Sequence, residues 1–198
     1  MYIRVDDFPA GNNTYMDINH IEMLYKISDI LNCPYLIGVV ASYVDPKVVY
    51  DISKVAQIGV HGITHYRGYL DFICKRRNFG VDALKEASTL LGSKIFVPPF
   101  NWIPKYLPDI LVEAGYETLC VARNHDKKIA GDVSYFPKSL NINMTIYGST
   151  YFGSLSKDYN MVDGDCIVFH YPHILKDIEL FSTLVEKLKN MYTVIEEW

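Results

Sequence analysis

The chain has 198 residues, 49% of them hydrophobic and 21% charged, with a formal net charge of −4. That length fits one domain, or at most two small ones, with enough apolar residues to bury a core. The composition excludes a disordered chain, and 12 glycines with 9 prolines exclude collagen-like or low-complexity sequence. The acidic balance, with no cluster of more than three basic residues, excludes the electrostatic footprint of a nucleic-acid or anionic-membrane binder.

The cysteines, Cys33, Cys74, Cys120 and Cys166, are scattered, mostly lie in apolar runs and lack metal-ligand spacing. They read as small buried hydrophobes, and a reducing compartment is expected. No apolar run approaches the roughly 18 residues of a membrane span. Tyr2-Ile3-Arg4-Val5 runs straight into a strand, leaving no room for a signal peptide, so a cytoplasmic location is expected.

In chain order, Met1 to Asp6 predicts a strand closed by a turn at Asp6-Asp7-Phe8-Pro9, because the residue before a proline is pushed out of the helical region. A polar loop follows at 10–15. Apolar residues at helical spacing predict a helix over 17–31, stopped by Pro34, and a strand over 35–41. Asp45-Pro46 caps a helix over 46–56, and a strand at 57–60 comes directly after it. Next are a helix over 81–91 ending at Gly92, a strand at 94–97, a helix over 104–114 ending at Gly115, and a strand at 117–122. Gly92 and Gly115 stand where a left-handed C-cap is wanted. The stretch 123–163 reads as irregular or as short strands. A strand at 166–169, a helix over 174–190 and a last strand at 192–195 close the chain. Apolar strands alternating with helices indicate one α/β domain, 1–198, with a mostly parallel sheet; periodicity leaves an open sheet and an incomplete barrel both standing.

In either architecture the site lies at the carboxyl ends of the strands. Those ends carry Asp6-Asp7, then His61-Gly62-Ile63-Thr64-His65, then Pro98-Pro99-Phe100-Asn101, then His170-Tyr171-Pro172-His173. His61 and His65 are four apart, so on a helical turn both imidazoles project from one side and can share a metal; alone, such a pair is as readily solvated or capping. A carboxylate as third ligand would leave the open position that catalytic zinc needs. Adjacent carboxylates repel unless a cation or proton is shared, which favours a metal over a plain turn-initiating Asp. On an alternating strand Asp7 shares a face with Ile3 and Val5 and is expected over the top of the core, while Asp6 is offset.

These residues resemble the polysaccharide deacetylase superfamily, the NodB-homology domain of the carbohydrate esterases. Its hallmarks are an Asp-Asp pair ending the first strand and two histidines four apart after a later one, here Val5-Asp6-Asp7-Phe8-Pro9 and His61 with His65. The resemblance spans residues 5 to 170 and implies an incomplete (β/α)7-type barrel with outer helices. It implies Asp6 as general base, and Asp7, His61 and His65 as ligands of a divalent metal, Zn²⁺ in the first instance. Pro98-Pro99-Phe100-Asn101 resembles the third motif, implying the Phe100 amide as oxyanion donor. Ile167-Val168-Phe169-His170 resembles the last motif, implying His170 as general acid in preference to His173.

Two departures stand out. The family's third motif begins with an Arg that pairs with the base, where this chain has Val97; Arg67 and Arg123 are the substitutes to look for. The Asp that orients the acid histidine has only Asp126 and Asp132 as counterparts. The expected activity is hydrolysis of the N-acetyl group of an amino sugar, with Pro99, Asn101 and Trp102 on the substrate side; Tyr66 and Tyr171 also lie beside the motifs but are expected mainly in packing. The opening Arg4-Val5-Asp6-Asp7-Phe8 also resembles branches acting on lipid- or nucleotide-linked sugars, deformylases included. Other expectations left standing are a hydrolase of a different amide or ester and a silent sugar-binding relative. The shortness of the chain favours a small sugar over a polymer. Oligomeric state is not legible.

Overall fold

Among the described residues, seven short parallel strands close on themselves. The computed structural model describes residues 2–9, 18–122, 145–151 and 166–191. The strands are β1 (Tyr2–Phe8), β2 (Leu36–Val39), β3 (Gln57–Val60), β4 (Ile95–Phe96), β5 (Thr118–Ala122), β6 (Thr145–Tyr151) and β7 (Cys166–His170). The helices are α1 (Ile18–Leu31), α2 (Pro46–Val55), α3 (Arg67–Lys75), α4 (Arg77–Leu91), α5 (Leu107–Glu113), α6 (Tyr171–Lys176) and α7 (Ile178–Met191), with 3₁₀ turns at Ala41–Tyr43 and Pro99–Asn101. Each strand pairs in parallel with the next, and β7 pairs with β1, so the ring holds seven strands rather than the eight of a complete (β/α) barrel. The thinnest seam is β3–β4, joined at Val60 and Phe96.

Alternation along the strands sorts side chains into two layers. Ile3, Val5, Ile37, Val39, Val60, Phe96, Ile167 and Phe169 face outward into one core with Leu24, Ile27, Leu84, Ile110 and Phe181 of the helices. Leu36, Val97 and Cys120 form a separate small cluster, and the neighbouring register pairs, Arg4 with Leu36 and with Val168, bring Arg4 beside it. One step towards the carboxyl ends, Asp6 pairs in register with His170. Among the described residues the barrel interior thus sets one charged side chain, Arg4, beside an apolar cluster, with Asp6 above it at the rim.

Most expected elements are present, with shifted ends. Asp45 caps α2 by accepting from the Lys47 N–H at 2.9 Å, and Gly92 and Gly115 adopt left-handed φ of 60° and 85°. The helix α3 is additional: Gly68 and the Lys75-Arg76-Arg77 run obscure its period, yet Leu70, Ile73 and Cys74 form a buried face. The expected helix over 174–190 is two helices, because Asp177 ends α6 and its side chain accepts from the Leu180 N–H at 2.9 Å, starting α7. The strand β6 is a short strand within 123–163, one of the two readings of that stretch; the rest of it lies outside the described residues. The expected strand at 192–195 falls outside the described residues. Cys33, Cys74 and Cys120 are free thiols, and burial pushes Cys74 up to about 12 and Cys120 up to about 11, consistent with inert packing residues. Among the described residues no helix is long and apolar enough to cross a membrane.

Candidate metal centre and its rim

The end of β1 separates its two carboxylates. Strict alternation would send Asp7 outward with Val5, into the helix layer. Instead the register shifts between Val5 and Phe8, and Asp7 takes a left-handed φ of 67°, which turns its carboxylate to the rim. The expectation that plain alternation delivers Asp7 is thus corrected: a backbone irregularity does it. Asp6 keeps the pattern and points into the barrel, where it is 2% exposed.

Asp7 meets the two histidines. Its Oδ1 lies 2.9 Å from His61 Nε2 and 2.9 Å from His65 Nε2. One ligand atom from each of Asp7, His61 and His65 lies within 4.8 Å of the others, a spacing that fits one ion. His61 Nδ1–H donates to the Val97 carbonyl at 2.9 Å, fixing the tautomer so that a neutral ring presents the Nε2 lone pair to the rim. A lone pair facing a carboxylate oxygen at hydrogen-bond distance requires a proton or a cation between them, so the donor set fits a divalent metal. Burial opposes ionisation of Asp7, but the side-chain bonds to His61 and His65 and the attraction of His61 and His170 outweigh it. Its carboxyl is held well below the usual carboxylate range.

The histidines do not sit on a helical turn. Residues 61–66 form a bend before α3, because Gly62 takes a φ of 74°, and a Cβ there would lie 2.7 Å from Pro99 Cγ. The bend brings the two imidazole centroids to 5.2 Å. Its glycine also lets the His61–His65 loop close against the Pro98-Pro99 turn.

That turn carries Phe100 and Asn101, both left-handed, at φ of 58° and 50°. Its closing bonds run from the Asn101 and Trp102 N–H groups to the Pro98 and Pro99 carbonyls. The Phe100 ring, 48% exposed, stacks on His65 at 4.3 Å between centroids, with the Arg67 guanidinium 5.0 Å from its centroid. Pro99 is buried, and half-buried Trp102 packs against the core, so within this turn the exposed aromatic ring is that of Phe100. Sequence reasoning named Phe100 for its amide and missed its ring.

The partner of Asp6 is Arg4, two residues back on the same strand. Arg4 Nη2 donates to Asp6 Oδ2 at 2.7 Å and to Asn101 Oδ1 at 3.1 Å. Arg67 lies over Phe100 instead, and Arg123, Asp126 and Asp132 lie outside the described residues. The signal for Arg4 was available: residues i and i+2 of a strand share a face. Asp6 Oδ1 is buried and has no hydrogen-bond partner among the described residues. One oxygen is thus clamped and the other open.

His170 Nε2 lies 3.8 Å from Asp7 Oδ2, and the ring of the exposed His173 lies tilted beside it at 5.7 Å between centroids. Burial lowers the pKa of His170, Asp7 and Asp6 act against that by attraction, and His61 and His173 add to the lowering. Tyr171 is fully buried, edge-on to Phe8 and 2.9 Å from His20 Nδ1, whereas Tyr66 is exposed.

No family sequence model and no curated protein matches the chain. Solved structures do. A structure described as T48 deacetylase with substrate superposes with a TM-score of 0.59 at 18% identity, covering 98% of this chain and 86% of that one. The fold is that of the family 4 carbohydrate esterases. A family 4 acetyl xylan esterase from Clostridium thermocellum, in complex with a cobalt ion, gives 0.55 at 16% identity, covering 98% and 86%. A family 4 pseudoenzyme from Bacillus anthracis gives 0.50 at 12% identity, covering 98% of this chain and 62% of that one.

Two outcomes follow from this geometry. A Cβ on Gly38 would sit 2.9 Å from Asp6 Oδ1 and 3.3 Å from His61 Cβ, so Gly38→Ala displaces both; it is expected to cost about 1–3 kcal/mol in denaturant unfolding and to weaken metal binding by isothermal titration. In chelator-treated protein, a His170 pKa below its unfolded value of about 6.5 adds no penalty above that pH and an increasing one as pH falls through it. Unfolding free energy of His170→Gln, measured from pH 7.5 to 5, is therefore expected to fall less steeply than that of the parent.

Proposed function

We propose that the protein is a metal-dependent hydrolase that removes the N-acyl group of an amino sugar, with the whole chain serving as one catalytic domain. The observation that carries this reading is the division of labour between two adjacent carboxylates. Asp7 is committed to the His61–His65 cluster, while Asp6 offers one open oxygen beside it. Hydrolytic metal centres need that pairing of a ligand carboxylate with a separate base.

When bound, Zn²⁺ or a similar divalent ion lowers the pKa of water to roughly 7 and polarises an acyl carbonyl. Asp6 Oδ1 accepts the proton as the water oxygen bonds to the acyl carbon. The Phe100 N–H donates to the developing oxyanion, a contact worth roughly 3 kcal/mol when well placed. His170, paired in register with Asp6, delivers a proton to the nitrogen as the carbon–nitrogen bond breaks. The products are a carboxylic acid and a free amino sugar. Without that proton the amine is a poor leaving group, and such transfer contributes about 10²- to 10⁴-fold. The Phe100 face gives a sugar ring an apolar surface next to the metal ligands, with Asn101 and Trp102 as further substrate-side candidates.

A cytoplasmic location and a small, lipid-linked or nucleotide-linked sugar remain part of this reading, and a formyl group fits the same chemistry as an acetyl. The pseudoenzyme among proteins of the same fold supports one second reading, a silent sugar-binding relative. Amine release from a panel of N-acetyl and N-formyl sugars, free, nucleotide-linked and lipid-linked, separates these. Turnover is expected with at least one member, and Asp6→Asn is expected to reduce it by about 100-fold or more. Undiminished turnover in that variant removes Asp6 as base; no turnover on the whole panel favours the silent relative.

A further inference from the structure

We propose that Arg4 is a positioning residue that holds the base and the oxyanion turn in one register, acting through a single nitrogen; the inference rests on the hydrolase reading above. Nη2 of a guanidinium carries two hydrogens fixed in one plane, about 120° apart. In this chain one goes to Asp6 Oδ2 at 2.7 Å and the other to Asn101 Oδ1 at 3.1 Å. Asp6 ends β1, and Asn101 closes the turn after β4. A rigid planar strut on β1 therefore reaches the turn after β4, Arg4 and Asn101 being 97 positions apart in the chain.

The strut sets two quantities that catalysis needs together. It fixes the Asp6 rotamer with Oδ2 held, which leaves Oδ1 directed away from Arg4 and towards the Gly38 and His61 side of the barrel. It also ties down Asn101, whose left-handed backbone follows the equally left-handed Phe100 and so fixes where the Phe100 N–H points. Two successive non-glycine residues in that region persist only when their surroundings hold them. Arg4 is one such hold.

Burial argues for a role beyond stability. Arg4 is fully buried, low in the barrel beside the apolar Leu36, Val97 and Cys120. Apolar residues of similar volume often replace buried ion pairs without loss of stability. The surroundings leave little room for rearrangement: a Cβ on Gly38 would press on Asp6, the partner of Arg4, and one on Gly59 would lie 2.9 Å from Val97 Cγ2. Lysine would keep the charge, but its tetrahedral ammonium has no fork to hold both acceptors in one plane.

Steady-state kinetics on Arg4→Met, Arg4→Lys, Asn101→Ala, Asn101→Gly and the Arg4→Met/Asn101→Ala pair test this, with metal content measured on each. Arg4→Met is expected to lower kcat by about 10- to 100-fold, with KM within about threefold and one metal retained. Arg4→Lys is expected to recover part of that loss. Asn101→Gly relieves the left-handed backbone and still removes the acceptor, so it is expected to lower kcat as much as Asn101→Ala does. Asn101→Ala is expected to add nothing in the Arg4→Met background. If Arg4→Met does not fold, the Asn101 pair decides. Wild-type kcat in Asn101→Gly, additive effects, or an active Arg4→Met protein overturns the strut. A wild-type protein with no turnover on any N-acyl sugar instead overturns the hydrolase reading on which the strut rests.

Discussion

Two carboxylates at the end of one strand repel each other, and the arrangement of this site follows from how that repulsion is relieved. Each carboxylate has its own partners, on a different side of the backbone. Asp6 points into the barrel onto Arg4, at 2.7 Å between fully buried groups. Asp7 turns out to the rim, where one oxygen faces both His61 and His65. A register shift and a single left-handed residue make the separation. Without it both carboxylates would compete for one counter-charge, and one of them would have to be protonated.

The barrel supplies the setting for this division. Parallel strands place their carboxyl ends on one rim, so residues far apart in the chain meet there. Small residues keep the rim tight. Gly38 leaves space for the Asp6 carboxylate and His61, and Gly62 allows the histidine bend to close on Pro99. The bend and the Pro98-Pro99 turn then bind to each other twice, through that contact and through the His61 bond to the Val97 carbonyl. His61, the turn bearing Phe100 and Asp6 are consequently coupled in position.

Much of this is legible in the sequence, for physical reasons. Apolar strands alternating with helices specify the layers, and the helix ends at Gly92 and Gly115 follow from left-handed caps. Polar residues at the ends of apolar strands specify where the chemistry lies. Features that depend on three-dimensional compensation are harder to read. Alternation alone misplaces Asp7, because a bulge overrides it. Four-residue spacing suggests a helical turn for His61 and His65, but Gly62 and Pro99 require a bend. Arg4 went unrecognised as the partner of Asp6 because a charged residue in a strand reads as surface; its spacing of two from Asp6 was the available sign. The ring of Phe100 reached the rim only through a left-handed backbone that no residue type announces.

The account stands on Asp7, His61 and His65 holding one divalent ion that the chemistry requires. The most direct measurement is metal content by elemental analysis, paired with amine release before and after chelation and after readdition of Zn²⁺. One bound ion per chain is expected, lost in His61→Ala and in Asp7→Asn, with turnover that disappears on chelation and returns with the ion. A wild-type protein that hydrolyses its substrate at full rate without metal, or that binds no divalent ion at micromolar concentration, would contradict the account.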